Sequence, residues 1–179
     1  LKTLFFYGGF GLLTVLYAVP FLSGLQKNLR AISYLKIIIV ALVWAGVTVV
    51  IPAFDVYGIE LSTDIILMTL QRFILVCVLI LPFDIRDVQY DAVSLQTIPK
   101  KIGVEKTKKL GYVLLMISLF LEFIIAPNMS FRNVFLGFFF VVLFFLMRAS
   151  VKQAKYYSSF WVELLPIVWW LLLYGIANF

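Results

Sequence analysis

Long apolar runs separated by short polar stretches make up most of this chain. Six runs approach the roughly 20 residues that a helix needs to cross a hydrocarbon layer of about 30 Å. The pattern therefore predicts an all-α fold, a polytopic bundle of transmembrane helices in a single domain over residues 1–179. The six runs cover residues 3–22, 36–54, 65–83, 110–126, 133–149 and 160–178.

The composition supports a membrane protein and restricts its chemistry. The chain is 64% hydrophobic and 13% charged, and its mean hydropathy of +1.07 is too high for a soluble core with a polar surface. We therefore expect the lipid bilayer, and no nucleic acid, as its surroundings. The single cysteine, Cys77, excludes an intrachain disulfide, and histidine is absent. Any catalysis would depend on carboxylates, tyrosine, lysine or arginine.

The basic residues lie mostly on one side of the predicted membrane. Twelve of the 15 lysines and arginines follow the first, third and fifth runs. The positive-inside rule then makes these connections cytoplasmic and both termini external. Because Leu1 begins an external terminus without a signal-peptide pattern, we expect an odd number of further spans upstream. The twelve residues are Lys27, Arg30, Lys36, Arg86, Lys100, Lys101, Lys106, Lys108, Lys109, Arg148, Lys152 and Lys155.

Three aspartates lie where the third run meets the longest cytoplasmic connection, residues 84–109. Asp84, Asp87 and Asp91 have the spacing i, i+3 and i+7, which places them within about 60° on one helix face. Like charges so placed repel, and a hard cation with oxygen ligands, such as Mg²⁺, relieves that repulsion. The connection itself is predicted as an Asp-rich helical extension, a turn near Pro99 and Gly103, and a short basic surface helix.

A second group of polar residues lies deep inside the apolar runs. Arg72, next to Gln71, is within the third run, and a charge inside a span is costly unless it has a partner. Glu122 lies at a comparable depth in the fourth run. We therefore expect a structural bridge between Arg72 and Glu122 in preference to a role for Arg72 in a pocket.

The arrangement of these residues resembles the motifs of one known family. The DxxDxxxD spacing from Asp84 to Asp91, followed by Thr97-Ile98-Pro99, Ile102-Gly103 and a basic segment, resembles the second aspartate-rich motif of UbiA-type intramembrane prenyltransferases. Upstream, Tyr17 and Pro20 with the later Lys27 and Arg30 are similar to that family's tyrosine-proline-basic segment. The resemblance covers about residues 10–112, and beyond them only the helix count agrees.

The resemblance implies a fold and an activity. The family has nine transmembrane helices with two aspartate-rich cytoplasmic loops, so the chain looks like helices four to nine and lacks the first motif. The implied activity is the Mg²⁺-dependent transfer of an isoprenyl group from a polyprenyl diphosphate to a hydrophobic, commonly aromatic, acceptor in the membrane. Without the first motif, the chain alone is expected to be an incomplete active site.

The resemblance also assigns roles to individual residues. For Lys27, Arg30 and the basic cluster 100–109, topology and lipid headgroups are the preferred explanation of any single residue, Arg86 could simply balance the acids, and Tyr17 fits an interfacial position better than a catalytic one. The implied metal ligands and catalytic residues are Asp84, Asp87 and Asp91. The implied diphosphate-binding residues are Lys27, Arg30, Arg86, Lys100 and Lys101, and the implied prenyl-pocket residues are Tyr17 and Tyr90.

Two other classes compete with this interpretation. A phosphatidyltransferase acting on cytidine-diphosphate alcohols also uses membrane aspartates and a divalent metal, but its DGxxAR element is absent here. A non-enzymatic transporter or scaffold is the other alternative. Transporters often show repeated halves and broken helices at mid-membrane, and the chain has no internal repeat.

Overall fold

The described part of the protein consists of helices joined by short connections. The computed structural model describes residues 2–18, 33–58, 62–89, 97–125, 129–154 and 156–177, and within these ranges it contains no strand. The predicted all-α fold is therefore confirmed. The helices are α1 (Lys2–Ala18), α2 (Ser33–Ala45), α3 (Ile51–Tyr57), α4 (Thr63–Asp87), α5 (Ile98–Ile102), α6 (Val104–Ile125), α7 (Met129–Arg148) and α8 (Glu163–Ala177).

Four helical segments of the described residues are long and apolar enough to cross a membrane. Two of them include a π-helical turn: Gly46–Val50 joins α2 to α3, and Tyr157–Val162 leads into α8. Large apolar side chains point away from the bundle, and Phe120, Phe140 and Trp170 are at least 60% exposed. This surface is compatible with an integral membrane protein. The four segments are Leu35–Val56, Thr63–Asp87, Met129–Arg148 and Tyr157–Gly175.

Helix α4 lies at the centre of the described bundle. It contacts α2, α6, α7 and the π-helical turn before α8. Its buried stripe follows the helical period, with Leu75, Val78 and Leu81 each at most 2% exposed. These side chains pack against Leu115 of α6 and against a row of phenylalanines on α7. Because lipid is as apolar as leucine, the close fit of these side chains, and not their transfer from water, holds such helices together.

The connection before α6 differs from its prediction. A short helix is present, but it is α5, with Pro99 in its first turn. Gly103 ends α5 with a φ of +86°, a conformation that glycine adopts without strain. The basic segment 104–109 is not a separate surface helix but forms the beginning of α6, since no proline follows Gly103 before Ile125. We define the aspartate end of the bundle as the end where α4 stops and α6 begins.

A glycine marks the closest approach of α6 to its neighbours. A Cβ atom at Gly111 would lie 2.7 Å from Leu146 Cδ2 and 2.8 Å from Leu81 Cδ1. The two leucines belong to α7 and α4 and are at most 1% exposed. Gly111 therefore allows three helices to meet. Gly137 of α7 offers a comparison, because a Cβ atom there would meet nothing within 4 Å.

We predict that Gly111→Leu destabilises the protein, whereas Gly137→Leu does not. Overpacking a close crossing costs about 1–3 kcal/mol, and leucine at the open position gains up to about 1 kcal/mol of helix propensity over glycine. Thermal unfolding of the two purified variants in one detergent measures the difference. Equal melting temperatures would contradict the tight crossing at Gly111.

Candidate functional site

The last turn of α4 carries two of the three predicted acids. The helix continues past residue 83, where the apolar run ends, and reaches Asp87. Asp84 and Asp87 therefore lie one turn apart on neighbouring positions of the helix surface. Their environments differ, since the Asp84 side chain is 1% exposed and the Asp87 side chain is 29% exposed. The pair presents one buried and one accessible carboxylate.

Lys36 approaches the buried carboxylate from the neighbouring helix. It lies in the first turn of α2, which packs along α4. Its Nζ atom is 3.3 Å from Asp84 Oδ1 and donates a hydrogen bond to it. A carboxylate removed from water is costly unless a cation or hydrogen-bond donors compensate it. Lys36 supplies that compensation and connects α2 to the aspartate end.

Arg86 connects the second carboxylate to the beginning of α8. Its Nε atom donates to Asp87 Oδ1 at 2.7 Å. Its Nη1 atom donates to the hydroxyls of Ser158 at 3.0 Å and Ser159 at 2.6 Å, both in the π-helical turn before α8. Gln153 extends the network by donating to the Pro82 carbonyl oxygen at 3.1 Å and to Ser158 Oγ at 3.2 Å. The network therefore joins the end of α4 to the beginning of α8.

The remaining predicted site residues are only partly described. Lys100 and Lys101 lie on α5, which contacts α4, and Lys101 is the more exposed of the two. Tyr17 belongs to the last turn of α1. Lys27, Arg30, Tyr90 and Asp91 lie outside the described residues.

The donor atoms at the aspartate end are of the kind that Mg²⁺ binds. Mg²⁺ takes oxygen ligands and usually one or two carboxylates together with water or phosphate oxygens. Asp84 and Asp87 supply two carboxylates, although each has one oxygen in contact with a cation. Within the described ranges no group of three or more acidic, cysteine or histidine side chains gathers in a way that could hold a metal ion. The predicted trio would need Asp91.

The structure adds four polar residues that sequence analysis did not assign to the site. Lys36 was counted only for topology, while Gln153, Ser158 and Ser159 lie in or beside an aromatic segment. A signal for Lys36 existed, because an aspartate at the end of an apolar run is often paired with a cation on a neighbouring helix. The serines offered no comparable signal, because hydroxyls are common in membrane helices.

A second polar cluster lies deep in the apolar part of the described bundle. Gln71 Nε2 donates to Glu122 Oε2 at 2.8 Å and to the Ser118 carbonyl oxygen at 3.1 Å. Arg72 does not form the expected ion pair with Glu122; its guanidinium carbon lies 4.6 Å from the centre of the Trp169 ring. The amide of Gln71 reaches Glu122, whereas Arg72, on the next position of the helix, points towards α8. The prediction of a structural bridge was wrong.

The fold and the site define a class but no established family. The described chain is an all-α protein whose long apolar helices are compatible with an integral membrane protein. A scan against models of known protein families found no match, and searches of curated proteins and of solved structures also found none.

We predict that Lys36→Met destabilises the protein and that adding Asp84→Asn restores most of the loss. Removing the cation beside a buried carboxylate costs several kcal/mol in a fully buried pair, and we expect about 2 kcal/mol here because Lys36 is partly exposed. Thermal unfolding of both single variants and of the double variant measures the coupling. Lys152→Met, at an exposed position after α7, is the control. Additive effects of the two substitutions would show that Lys36 and Asp84 do not depend on each other.

Proposed function

We propose that this chain forms part of a UbiA-like intramembrane prenyltransferase. In this proposal it transfers an isoprenyl group from a polyprenyl diphosphate to a hydrophobic, aromatic acceptor in the membrane, and its six apolar runs correspond to helices four to nine of that fold. One observation carries the proposal. Asp84 and Asp87 lie one turn apart where an apolar helix ends, and each has a cationic side chain at one of its oxygens.

The two carboxylates have complementary properties for holding a diphosphate through a metal ion. Together with Asp91, Asp84 and Asp87 would bind Mg²⁺, which neutralises diphosphate oxygens and makes the diphosphate a better leaving group. Burial of Asp84 on a rigid helix holds one ligand in place, while the partial exposure of Asp87 leaves it accessible. Such a combination favours binding of an ion that keeps part of its water shell.

The cations at the aspartate end support an anionic ligand. Lys36 and Arg86 contact the two acids, and Lys100 and Lys101 lie on α5 beside α4. A guanidinium or ammonium group placed near a diphosphate can donate charge-assisted hydrogen bonds to its oxygens. In this proposal Arg86 also has a positioning role, because its hydrogen bonds to Ser158 and Ser159 join the turn before α8 to α4.

The surroundings of this end suit a substrate with a polar head and an apolar tail. α4 is apolar from the aspartates back to Ile65 except for Thr69, Gln71 and Arg72, and outward-facing side chains of the bundle are largely aromatic or aliphatic. A diphosphate held at Asp84 and Asp87 would leave its prenyl chain along this apolar surface. The excess of lysine and arginine on the same side supports a cytoplasmic position for this end.

We predict that Asp87→Asn weakens the Mg²⁺-dependent binding of a prenyl diphosphate at least tenfold. The substitution keeps size and removes the charge of the accessible ligand. Asp64→Asn is the matched control, since Asp64 is an exposed acid in the first turn of the same helix, at its other end. Binding of a fluorescent prenyl diphosphate analogue to the full natural protein in nanodiscs, with Mg²⁺ and with EDTA, measures both effects.

The two arms of this experiment separate the possible results. Strong binding by Asp64→Asn, weak binding by Asp87→Asn and loss of binding in EDTA would support the metal-diphosphate site. Equal binding by Asp87→Asn and the parent protein would overturn the proposal. Equally strong binding in Mg²⁺ and in EDTA would show that the basic residues bind the ligand without a metal ion.

A further inference from the structure

A cavity far from the aspartates contains a basic side chain. It has a volume of about 300 Å³ and lies between α2, α4, α7 and α8. Its described walls are mostly aromatic and aliphatic, with Trp44, Phe138, Trp169 and Trp170 among the lining residues, and Arg72 is the one charged residue among those that the structure describes. Arg72 precedes Asp84 by twelve residues on α4, so the two side chains begin about 18 Å apart along the axis. The cavity is separate from the proposed prenyl-transfer site.

Two donor groups of this cavity, on Arg72 and Trp169, have no acceptor among the described residues, whereas the Thr48 hydroxyl donates to the Trp44 carbonyl oxygen. Among the described residues the Arg72 guanidinium makes no hydrogen bond, and its contact is the face of Trp169. Trp169 is 8% exposed, and its indole Nε1 is buried without a hydrogen-bond partner in the described part of the chain. An unpaired buried donor such as the Trp169 indole costs free energy, and the Arg72 guanidinium offers five further N–H groups to a ligand in the cavity. A ligand that completes the cavity must therefore supply acceptor oxygens.

The charges around the cavity favour a ligand with a single negative charge. Glu122 interacts electrostatically with both Arg72 and Arg132. Its Oε2 atom already accepts the Gln71 amide, and neither arginine forms an ion pair with it. Arg72 therefore brings one positive charge to the cavity, and none of its described lining residues carries a negative charge. One carboxylate would balance that charge, whereas a phosphate dianion would exceed it.

The shape of the cavity indicates where the apolar part of a bound ligand would extend. Trp44 and Trp170 line the cavity and are 45% and 60% exposed, so this wall faces the outer apolar surface of the described bundle. A volume of about 300 Å³ is at the lower limit for ligand pockets, which typically measure roughly 300–1,000 Å³. It accommodates a head group and part of a chain. An apolar tail would continue past the two tryptophans into the hydrocarbon.

We propose that the Arg72 cavity binds the carboxylate of a single-chain amphiphilic acid dissolved in the membrane. The guanidinium forms charge-assisted hydrogen bonds to the carboxylate oxygens, the Trp169 indole is a further donor, and the tail leaves between Trp44 and Trp170. This proposal does not depend on prenyl transfer, because it uses none of the residues at the aspartate end.

The test compares a brominated stearic acid with its methyl ester. Bromine quenches tryptophan fluorescence at short range, and three of the four tryptophans line the cavity. With the full natural protein in nanodiscs, we expect saturable quenching by the acid and at least tenfold weaker binding of the ester. The ester has the same tail without the charge, so a tenfold difference corresponds to about 1.4 kcal/mol for the ionic head group.

Two arginine variants show whether Arg72 is responsible. Arg72→Gln should bind the acid no more tightly than the ester, while Arg148→Gln should bind it like the parent protein. Arg148 is an exposed arginine at the aspartate end and serves as the matched control. Equal affinity of the Arg72→Gln variant and the parent for the acid would overturn the proposal.

The parent protein alone keeps the proposal falsifiable if Arg72→Gln does not fold. Equal quenching by acid and ester would show that the tail alone is recognised and would overturn the carboxylate assignment. Quenching that rises linearly without saturation would show ordinary lipid contact at the protein surface, with the same consequence. A failure of prenyl diphosphate binding at Asp87 would leave this result unaffected, because the two assays use different ligands and variants.

Discussion

The cost of placing a charge among apolar helices is the constraint on which the described structure depends. α4 has polar groups at two levels among its apolar residues. Asp84 lies near one end, and the neighbouring residues Gln71 and Arg72 lie nearer the other end. At Asp84 a lysine from α2 compensates the carboxylate at 3.3 Å. At Gln71 the amide reaches Glu122 of α6. Each polar group thus pairs α4 with one particular neighbour, Asp84 with α2 and Gln71 with α6. The apolar stripe between these groups determines how closely α6 and α7 pack against α4.

This division gives the two polar layers different chemistry. The aspartate end holds acids whose oxygens contact Lys36 and Arg86, so a metal ion that took these oxygens would release two cations to an anionic ligand. The Arg72 cavity presents the guanidinium of Arg72 and the indole N–H of Trp169, neither of which has an acceptor among the described residues. A metal-bound diphosphate suits the first layer and a carboxylate suits the second. Since about 18 Å of helix axis separates the two layers, the two proposed ligands would not conflict sterically.

Sequence analysis could predict what depends on periodicity and local spacing. The all-α fold followed from runs of apolar residues, and the extension of α4 to Asp87 followed from the spacing of the aspartates. Contacts between distant residues did not follow. Lys36 and Asp84 are 48 positions apart, and Arg86 and Ser158 are 72 apart, so only the packing of α2 and α8 on α4 brings them together. The same limit explains the error at Arg72, where depth alone suggested Glu122 as the partner.

The orientation of Arg72 has a structural cause that links the two layers. Gln71 lies on the side of α4 that faces α6, so its amide nitrogen donates both to Glu122 and to the Ser118 carbonyl oxygen. Arg72, about 100° further around the helix, faces the side where Trp169 of α8 lies. The same helix α8 is held at its beginning by Arg86 through Ser158 and Ser159. Two arginines of α4 therefore hold α8 at two levels: Arg86 binds the hydroxyls of Ser158 and Ser159, and Arg72 contacts the face of Trp169. The contact between Arg72 and Trp169 is the looser of the two, and the cavity lies beside it.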